Sequence, residues 1–97
     1  MTNATSITHV DNEHVTVTEW RFTPGAATGW HRHGMDYVIT PIKGGPVEIA
    51  DEDGNRSAFT MNPGQSYFRD AGVAHDVIYT GDDELIFVEV ELKSRQG

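Results

Sequence analysis

The sequence predicts an all-β fold, on the strength of three observations. Segments of five to nine residues rich in Val, Ile, Thr, Phe and Tyr recur at short intervals, and Gly, Pro, Asn or Asp closes each of them. Helical periodicity is missing along the chain. About eight short strands joined by Gly and Pro turns are typical of a sandwich, a barrel or a jelly roll, and the pattern leaves these three open.

Two segments in the first half carry strong strand patterns. In residues 14–23, Val15 and Val17 alternate with polar residues before Trp20 and Phe22 do so in a shifted phase. This slip predicts either two strands or one strand with a β-bulge. Residues 36–43 form a further expected strand, in which Pro41 should lie at an edge or a bulge because proline donates no ladder hydrogen bond.

The second half predicts a hairpin and three more strands. Residues 47–50 and 57–61 flank the pair Asp53-Gly54, a hairpin signal because glycine tolerates positive φ. Short strands are expected at residues 67–69 and 76–80. Residues 84–93 alternate as a half-buried strand does. One of its faces carries Ile86, Val88, Val90 and Leu92, and the other carries Phe87, Glu89 and Glu91.

Length and charge limit the domain count and the partners. A chain of 97 residues is too short to divide into two halves with separate cores, so residues 1–97 are expected to form one domain. Fifteen acidic and seven basic residues give a net charge of −8, and the basic residues are scattered. We therefore expect neither nucleic acid nor a membrane as a partner. Residues 1–10 lack a signal-peptide pattern, which makes the cytoplasm the expected location.

Histidine is the residue type that points to chemistry. The absence of cysteine excludes disulfides and thiolate ligands and leaves any metal to nitrogen and oxygen donors. His31 and His33 are separated by one residue, so on a strand both imidazoles project from the same face. Such a pair alone is more often solvated than functional. Nearby glycines and a third histidine, His75, at the start of a predicted strand favour a shared metal site.

The spacing around these histidines resembles the first motif of the cupin superfamily. That motif runs Gly, five residues, His-x-His, three or four residues, Glu, six residues and Gly. Here Gly25, the pair His31 and His33, and Gly44 stand at the matching positions. Tyr37 replaces the glutamate.

The second cupin motif is also matched in part. It runs Gly, five residues, Pro, one residue, Gly, two residues, His, three residues and Asn. Gly64, Gly72 and His75 match, whereas Asp70 and Tyr79 replace the proline and the asparagine. The resemblance therefore spans motif 1 at residues 25–44 and motif 2 at residues 64–79. More narrowly, residues 20–38, 68–77 and 86–93 resemble a group of short bacterial cupins that includes a β-alanine degradation protein.

The resemblance implies a single-domain jelly-roll β-barrel whose metal ligands are His31, His33 and His75. Without the glutamate, three arrangements remain: three imidazoles with open positions, a site completed by the tyrosinate of Tyr37, or a vestigial site. We favour the first, in which the Tyr37 hydroxyl faces the substrate as a candidate acid or base or simply lines the cavity. Asp36 should point outward by strand alternation.

The implied cofactor is a divalent transition metal, with iron, zinc, nickel and manganese all compatible with imidazole donors. The first functional hypothesis is a metal-dependent enzyme that acts on a small polar or carboxylate-bearing metabolite, with oxygenase, isomerase and lyase chemistry unresolved. Arg69 could receive an anionic substrate through its fork of donors. The second hypothesis is a non-catalytic module that binds a metal or a small ligand. The family further implies a homodimer.

Overall fold

The computed structural model describes residues 2–93 of the chain, so the ends of the predicted domain, residue 1 and residues 94–97, lie outside the described residues. Nine strands follow one another in the described part: β1 Thr5–Asp11, β2 Val15–Phe22, β3 His31–Arg32, β4 Asp36–Lys43, β5 Gly45–Ala50, β6 Arg56–Met61, β7 Tyr67–Arg69, β8 Ala74–Tyr79 and β9 Leu85–Leu92. Residues 2–93 include no helix that is long and apolar enough to cross a membrane.

The strands form two antiparallel sheets that enclose the core. One sheet has the order β1-β2-β9-β4-β7 and the other the order β3-β8-β5-β6. Buried side chains from both sheets form one apolar cluster. The first sheet supplies Phe22, Tyr37, Ile39, Leu85 and Phe87, and the second supplies Val47, Met61, Val77 and Tyr79. The predicted all-β jelly-roll barrel is thus confirmed.

The phase slip in residues 14–23 has a different cause from the bulge that was considered. β2 is one unbroken strand, paired residue for residue with β9 from Val15 to Phe22. Because neighbouring side chains alternate, Trp20 and Phe22 point into the barrel, whereas Val15 and Val17 point outward. Both faces of β2 carry apolar side chains, and the register shift lies on β1 instead, between Thr8 and Val10.

The expectations for Pro41 and for the hairpin are confirmed. β4 lies inside its sheet, between β9 and β7, and its register against β9 shifts between Pro41 and Lys43. The bulge accommodates a residue that cannot donate to the ladder. β5 and β6 pair as a hairpin from Gly45 opposite Met61 to Ala50 opposite Arg56, and Gly54 in its turn has a φ of 84°.

The alternation in β9 is confirmed, but the face that enters the barrel is the one with the acidic residues. Leu85, Phe87 and Glu89 are buried, while Ile86, Val88 and Val90 are half-buried on the outer face. Glu89 lies opposite Thr18 on one side and opposite Ile39 on the other. A carboxyl group therefore projects into the interior.

Gly44, the last glycine of the first motif, is required by close packing. A Cβ atom at this position would lie 2.1 Å from the backbone oxygen of Met61. We expect Gly44→Ala to lower the free energy of unfolding by about 2–3 kcal/mol because neither backbone can move away cheaply. Urea denaturation measures the change. Gly34→Ala is the control, since no atom lies within 4 Å of its Cβ position, and a loss of stability there equal to that of Gly44→Ala would contradict this explanation.

Candidate metal centre

The backbone brings the three histidines to one side of the barrel wall. His31 on β3 lies directly opposite His75 on β8. His33 lies just beyond β3, where its N–H donates to the carbonyl of Val73 at 2.8 Å and its carbonyl accepts from the N–H of Gly72 at 2.7 Å. Gly72 has a φ of 98°, a conformation that favours glycine. The second motif thus holds the first motif in place through main-chain hydrogen bonds.

The three imidazoles converge through their Nε2 atoms. His31 Nε2 lies 2.9 Å from His33 Nε2, which lies 3.2 Å from His75 Nε2. One ligand atom from each of the three residues falls within 4.8 Å of the others. Spacings near 3 Å are those of nitrogens that each lie about 2.0–2.1 Å from one shared ion.

The protons on these rings also fit a cation. Nδ1 of His31 lies 2.9 Å from the carbonyl oxygen of Gly29, and because a carbonyl can only accept, this Nδ1 carries the proton. With the proton on Nδ1, the Nε2 atom of His31 is left to accept a hydrogen bond or to bind a cation. The lone pairs of converging Nε2 atoms repel one another unless a proton or a metal ion lies between them, so the donor set suits a bound cation.

Burial keeps two of the histidines neutral. Loss of solvent, followed by the neighbouring His31 and His75, lowers the pKa of His33 to about 4. Loss of solvent, followed by His31, likewise lowers the pKa of His75 to about 4. Both rings are therefore uncharged at neutral pH, and the uncharged imidazole is the form that binds metals.

Tyr37 lies against the ring of His33 rather than at the point where the three Nε2 atoms converge. Its ring stacks on that of His33 with centroids 3.8 Å apart and an interplanar angle of 19°. Burial, with smaller effects from Tyr67 and Glu89, raises the pKa of Tyr37 to about 12. The phenol thus keeps its proton at neutral pH. Its hydroxyl is buried and has no hydrogen-bond partner in the described part of the chain.

Asp36 takes no part in the histidine cluster. Strand alternation places it on the face opposite Tyr37, as expected, but it is buried rather than exposed to solvent. Its Oδ1 accepts a hydrogen bond of 2.8 Å from the N–H of Ala71. This contact ties β4 to the loop before His75.

Glu89 was not among the predicted site residues. Only 8% of its surface is exposed, and its Oε2 lies 3.8 Å from Nδ1 of His33. Burial and the charge of Glu91 raise its pKa to about 7, while a hydrogen bond from Trp20 acts in the opposite direction. The alternation of β9 in the sequence placed Glu89 on a face with Phe87 but could not say that this face lies inside.

The cluster opens into a cavity of about 620 Å³. Its polar lining combines the three histidines with two further groups of side chains. One comprises Tyr37, Tyr67 and Arg69, and the other comprises Glu89 and Glu91. Its apolar wall consists of Trp20, Ile39, Ile49, Phe59, Met61 and Phe87. The volume suits a small organic molecule.

The raised pKa of Glu89 predicts a pH-dependent penalty on folding. Below pH 4.5 the carboxyl is protonated in both states, and between pH 4.5 and 7 only the unfolded chain ionises readily. In the metal-free protein, Glu89→Gln should therefore gain stability over the wild type as the pH rises through this window, reaching about 2–3 kcal/mol above pH 7. Urea denaturation in chelator at pH 4.5 and 8.5 measures the gap.

Glu13→Gln serves as the control for losing one carboxylate, because the side chain of Glu13 is 85% exposed. Equal stability of Glu89→Gln and the wild type at pH 8.5 would refute the predicted penalty, as would a gap that widens toward acid.

Comparisons with known proteins agree with this geometry. A family model described as the cupin domain matches residues 18–91. The chain is 52% identical over 84 residues to the β-alanine degradation protein BauB of Pseudomonas aeruginosa, covering 87% of each chain. A crystal structure of a cupin domain from Bordetella pertussis Tohama I matches with a TM-score of 0.92 and 46% identity over 96% of both chains.

A more distant structure, a conserved protein with a double-stranded β-helix domain from Klebsiella pneumoniae, shares 21% identity and a TM-score of 0.78 over 98% of this chain and 81% of its own. At that identity the likeness concerns the fold alone. The match of the family model over residues 18–91 and the 52% identity to BauB establish that the chain belongs to the cupin family.

Proposed function

We propose that this protein is a metal-dependent enzyme that acts on a small carboxylate-bearing metabolite. The observation that carries the proposal is the convergence of three imidazoles in the lining of a cavity large enough for such a molecule. His31, His33 and His75 hold a divalent transition metal, with iron, zinc, nickel and manganese as candidates. When bound, the ion supplies Lewis acidity or activates oxygen.

The position of Arg69 supports the proposal that the substrate carries a carboxylate. Its guanidinium lines the cavity and lies 4.6 Å from the ring centroid of Tyr67. Arg32, also in the lining, is neutralised by Glu52 at 3.1 Å, whereas no carboxylate in residues 2–93 forms an ion pair with Arg69. BauB is named for the degradation of β-alanine, itself a small carboxylate. A guanidinium whose charge is not paired within residues 2–93 suits such a group, although one of its nitrogens donates to the carbonyl of Phe68 at 3.0 Å.

Tyr37 is proposed as the acid that meets the substrate. Its pKa of about 12 makes the phenol a proton donor at neutral pH rather than a base or a tyrosinate ligand. A buried donor without a partner costs about 1–3 kcal/mol. A bound molecule that accepts from the Tyr37 hydroxyl would remove this cost.

Elemental analysis of protein purified without a tag or a chelator tests the metal site. The wild type is expected to carry near-stoichiometric metal, and His31→Ala, His33→Ala and His75→Ala should each lose most of it because each removes one of three ligands. His14→Ala is the control, since the side chain of His14 is 73% exposed in the loop between β1 and β2 and does not line the cavity. Metal that persists in all three variants would place the site elsewhere.

Calorimetric titration of the zinc-loaded protein with β-alanine and propionate, each beside its amide, tests Arg69. We expect Arg69→Met to weaken carboxylate binding roughly tenfold to a hundredfold, since a charged hydrogen bond contributes about 1.5–3 kcal/mol. Binding to Arg32→Met should stay within about twofold of the wild type because Arg32 is already paired. Equal affinity for acids and amides would argue against carboxylate recognition.

A non-catalytic module is the alternative, and the replacement of the motif glutamate by Tyr37 is the observation that favours it. Oxygen uptake or product formation with any carboxylate supports the enzyme. Tight metal and ligand binding without turnover supports the module.

We propose further that two copies pair through the outer face of the larger sheet. A row of apolar side chains crosses all five strands in direct register: Val10, Val17, Val90, Val38 and Phe68. Val10 and Phe68, at the two ends of the row, are 40% and 50% exposed. An apolar row of this extent is typical of a protein interface.

Multi-angle light scattering should give the mass of a dimer for the wild type. Val10→Glu combined with Phe68→Glu should give a monomer, because paired faces would bury the new charges. Trp30→Glu, which alters an exposed side chain outside this face, should leave the dimer intact. A wild-type mass of one chain would contradict the proposal.

A further inference from the structure

Glu89 occupies a position that core packing alone does not explain. It is an ionisable residue whose inward neighbours in the ladder are Thr18 and Ile39, and it lies between Phe87 and Glu91 on the inner face of β9. Burying a carboxyl in such surroundings costs several kcal/mol unless a partner compensates. A hydrogen bond from Trp20 offsets part of this cost. An apolar residue at this position would pack without any such cost, which points to a role for the carboxyl inside the barrel.

The geometry places the carboxyl beside a ligand histidine and excludes one role. Oε2 of Glu89 lies 3.8 Å from Nδ1 of His33, while Nε2 of the same ring faces the other two histidines. The carboxylate is therefore behind the imidazole and cannot reach an ion bound at Nε2. The 3.8 Å separation is longer than a hydrogen bond, and a small rotation of the carboxyl group would let it accept the proton of Nδ1, which leaves Nε2 free as a metal donor.

His31 has a hydrogen-bond acceptor at the corresponding position behind its ring. The carbonyl oxygen of Gly29 lies 2.9 Å from its Nδ1, and Thr28 Oγ1 lies 3.3 Å from the same atom. An acceptor behind each ligand ring fixes the tautomer and the ring orientation and makes the imidazole a stronger donor.

We propose that Glu89 is the positioning residue of this metal site and supplies, from behind His33, the negative charge that the cupin glutamate supplies as a ligand. Tyr37 holds the glutamate's place in the first motif and stacks on the face of His33, where its protonated phenol contributes no charge. The carboxyl of this site therefore lies on β9 rather than on β4, and beside a ligand ring rather than at the motif position. This inference rests on the proposed metal site.

The first test needs no metal. Nitrogen chemical shifts of the His33 ring, measured by NMR on the metal-free protein at pH 8, report which nitrogen carries the proton. The wild type should show the proton on Nδ1, and Glu89→Gln should shift the population toward the Nε2–H form. A wild-type ring protonated on Nε2, or a tautomer population unchanged by the substitution, would overturn the proposal.

The second test measures zinc affinity by competition with a fluorescent chelator, together with the visible spectrum of the cobalt-substituted protein. Glu89→Gln should weaken zinc binding roughly tenfold to a hundredfold and shift the cobalt bands. Glu89→Asp, which keeps the charge, should restore part of the affinity. Glu91→Gln is the matched control, because Glu91 shares the strand, the face and the cavity and should change affinity by less than about twofold.

The outcomes separate this inference from the proposed function. Equal losses in Glu89→Gln and Glu91→Gln would indicate a general effect of cavity charge and overturn the positioning role. A wild-type protein that binds neither zinc nor cobalt would refute the proposed function, while the tautomer measurement would still decide whether Glu89 orients His33. Because Glu89→Gln is expected to stabilise the metal-free fold, weaker metal binding in that variant cannot be ascribed to unfolding.

Discussion

Directly opposed residues in an antiparallel pair point to the same face, with Cβ atoms about 4.5–5.5 Å apart. β3 and β8 oppose His31 to His75, and this register determines whether the site exists. A slip of one residue would send one of the two rings out of the barrel. β3 is only two residues long, so the register depends on the loop bonds that join His33 to Gly72 and Val73. Gly72 of the second motif thus fixes the position of His33 through a main-chain hydrogen bond, in a conformation that favours glycine.

The site consists of ionisable side chains that are rarely buried in the interior of a small barrel. Two imidazoles have their pKa lowered and three acids, Tyr37, Tyr67 and Glu89, have theirs raised, and burial is the first cause in each case. At neutral pH only the shift of Glu89 carries a free-energy cost in the metal-free protein, because the histidines and tyrosines are then largely neutral in the unfolded chain as well. Titratable groups of both signs in one cavity are typical of functional sites rather than of structural cores. The buried hydroxyl of Tyr37, which has no hydrogen-bond partner in residues 2–93, adds a second cost that a bound ligand would offset.

The sequence was sufficient for features that depend on spacing. Period-two alternation and motif spacing predicted the shared face of His31 and His33 and the involvement of His75. The backbone chemistry of proline located the bulge near Pro41. Spacing could not say which face of a strand points inward when both faces carry apolar side chains, as in β2 and β9. Glu89 was missed for this reason.

β1 left no clear signal in the sequence for a related reason. All seven of its residues, Thr5–Asp11, are exposed, so no burial pattern marks them. Its place in the sheet follows from pairing with β2, which is a long-range contact. Glu89 could be identified as a site residue only by finding which side chains lie next to Nδ1 of a ligand imidazole. That requires the register of β9 in the sheet, which the sequence does not give.

The two faces of the larger sheet link the proposed interface to the site. The inner ladder Thr18, Glu89, Ile39 and Tyr67 runs one residue away from the outer row that contains Val17, Val90, Val38 and Phe68. Consecutive residues share a peptide unit, so a partner pressed against Val90 restrains the backbone that carries Glu89. The 3.8 Å contact with His33 depends on the position of that backbone. Pairing of two copies would therefore restrict the motion of the Glu89 carboxyl beside the ring of His33. The outer apolar row and the interior site would be coupled in this way.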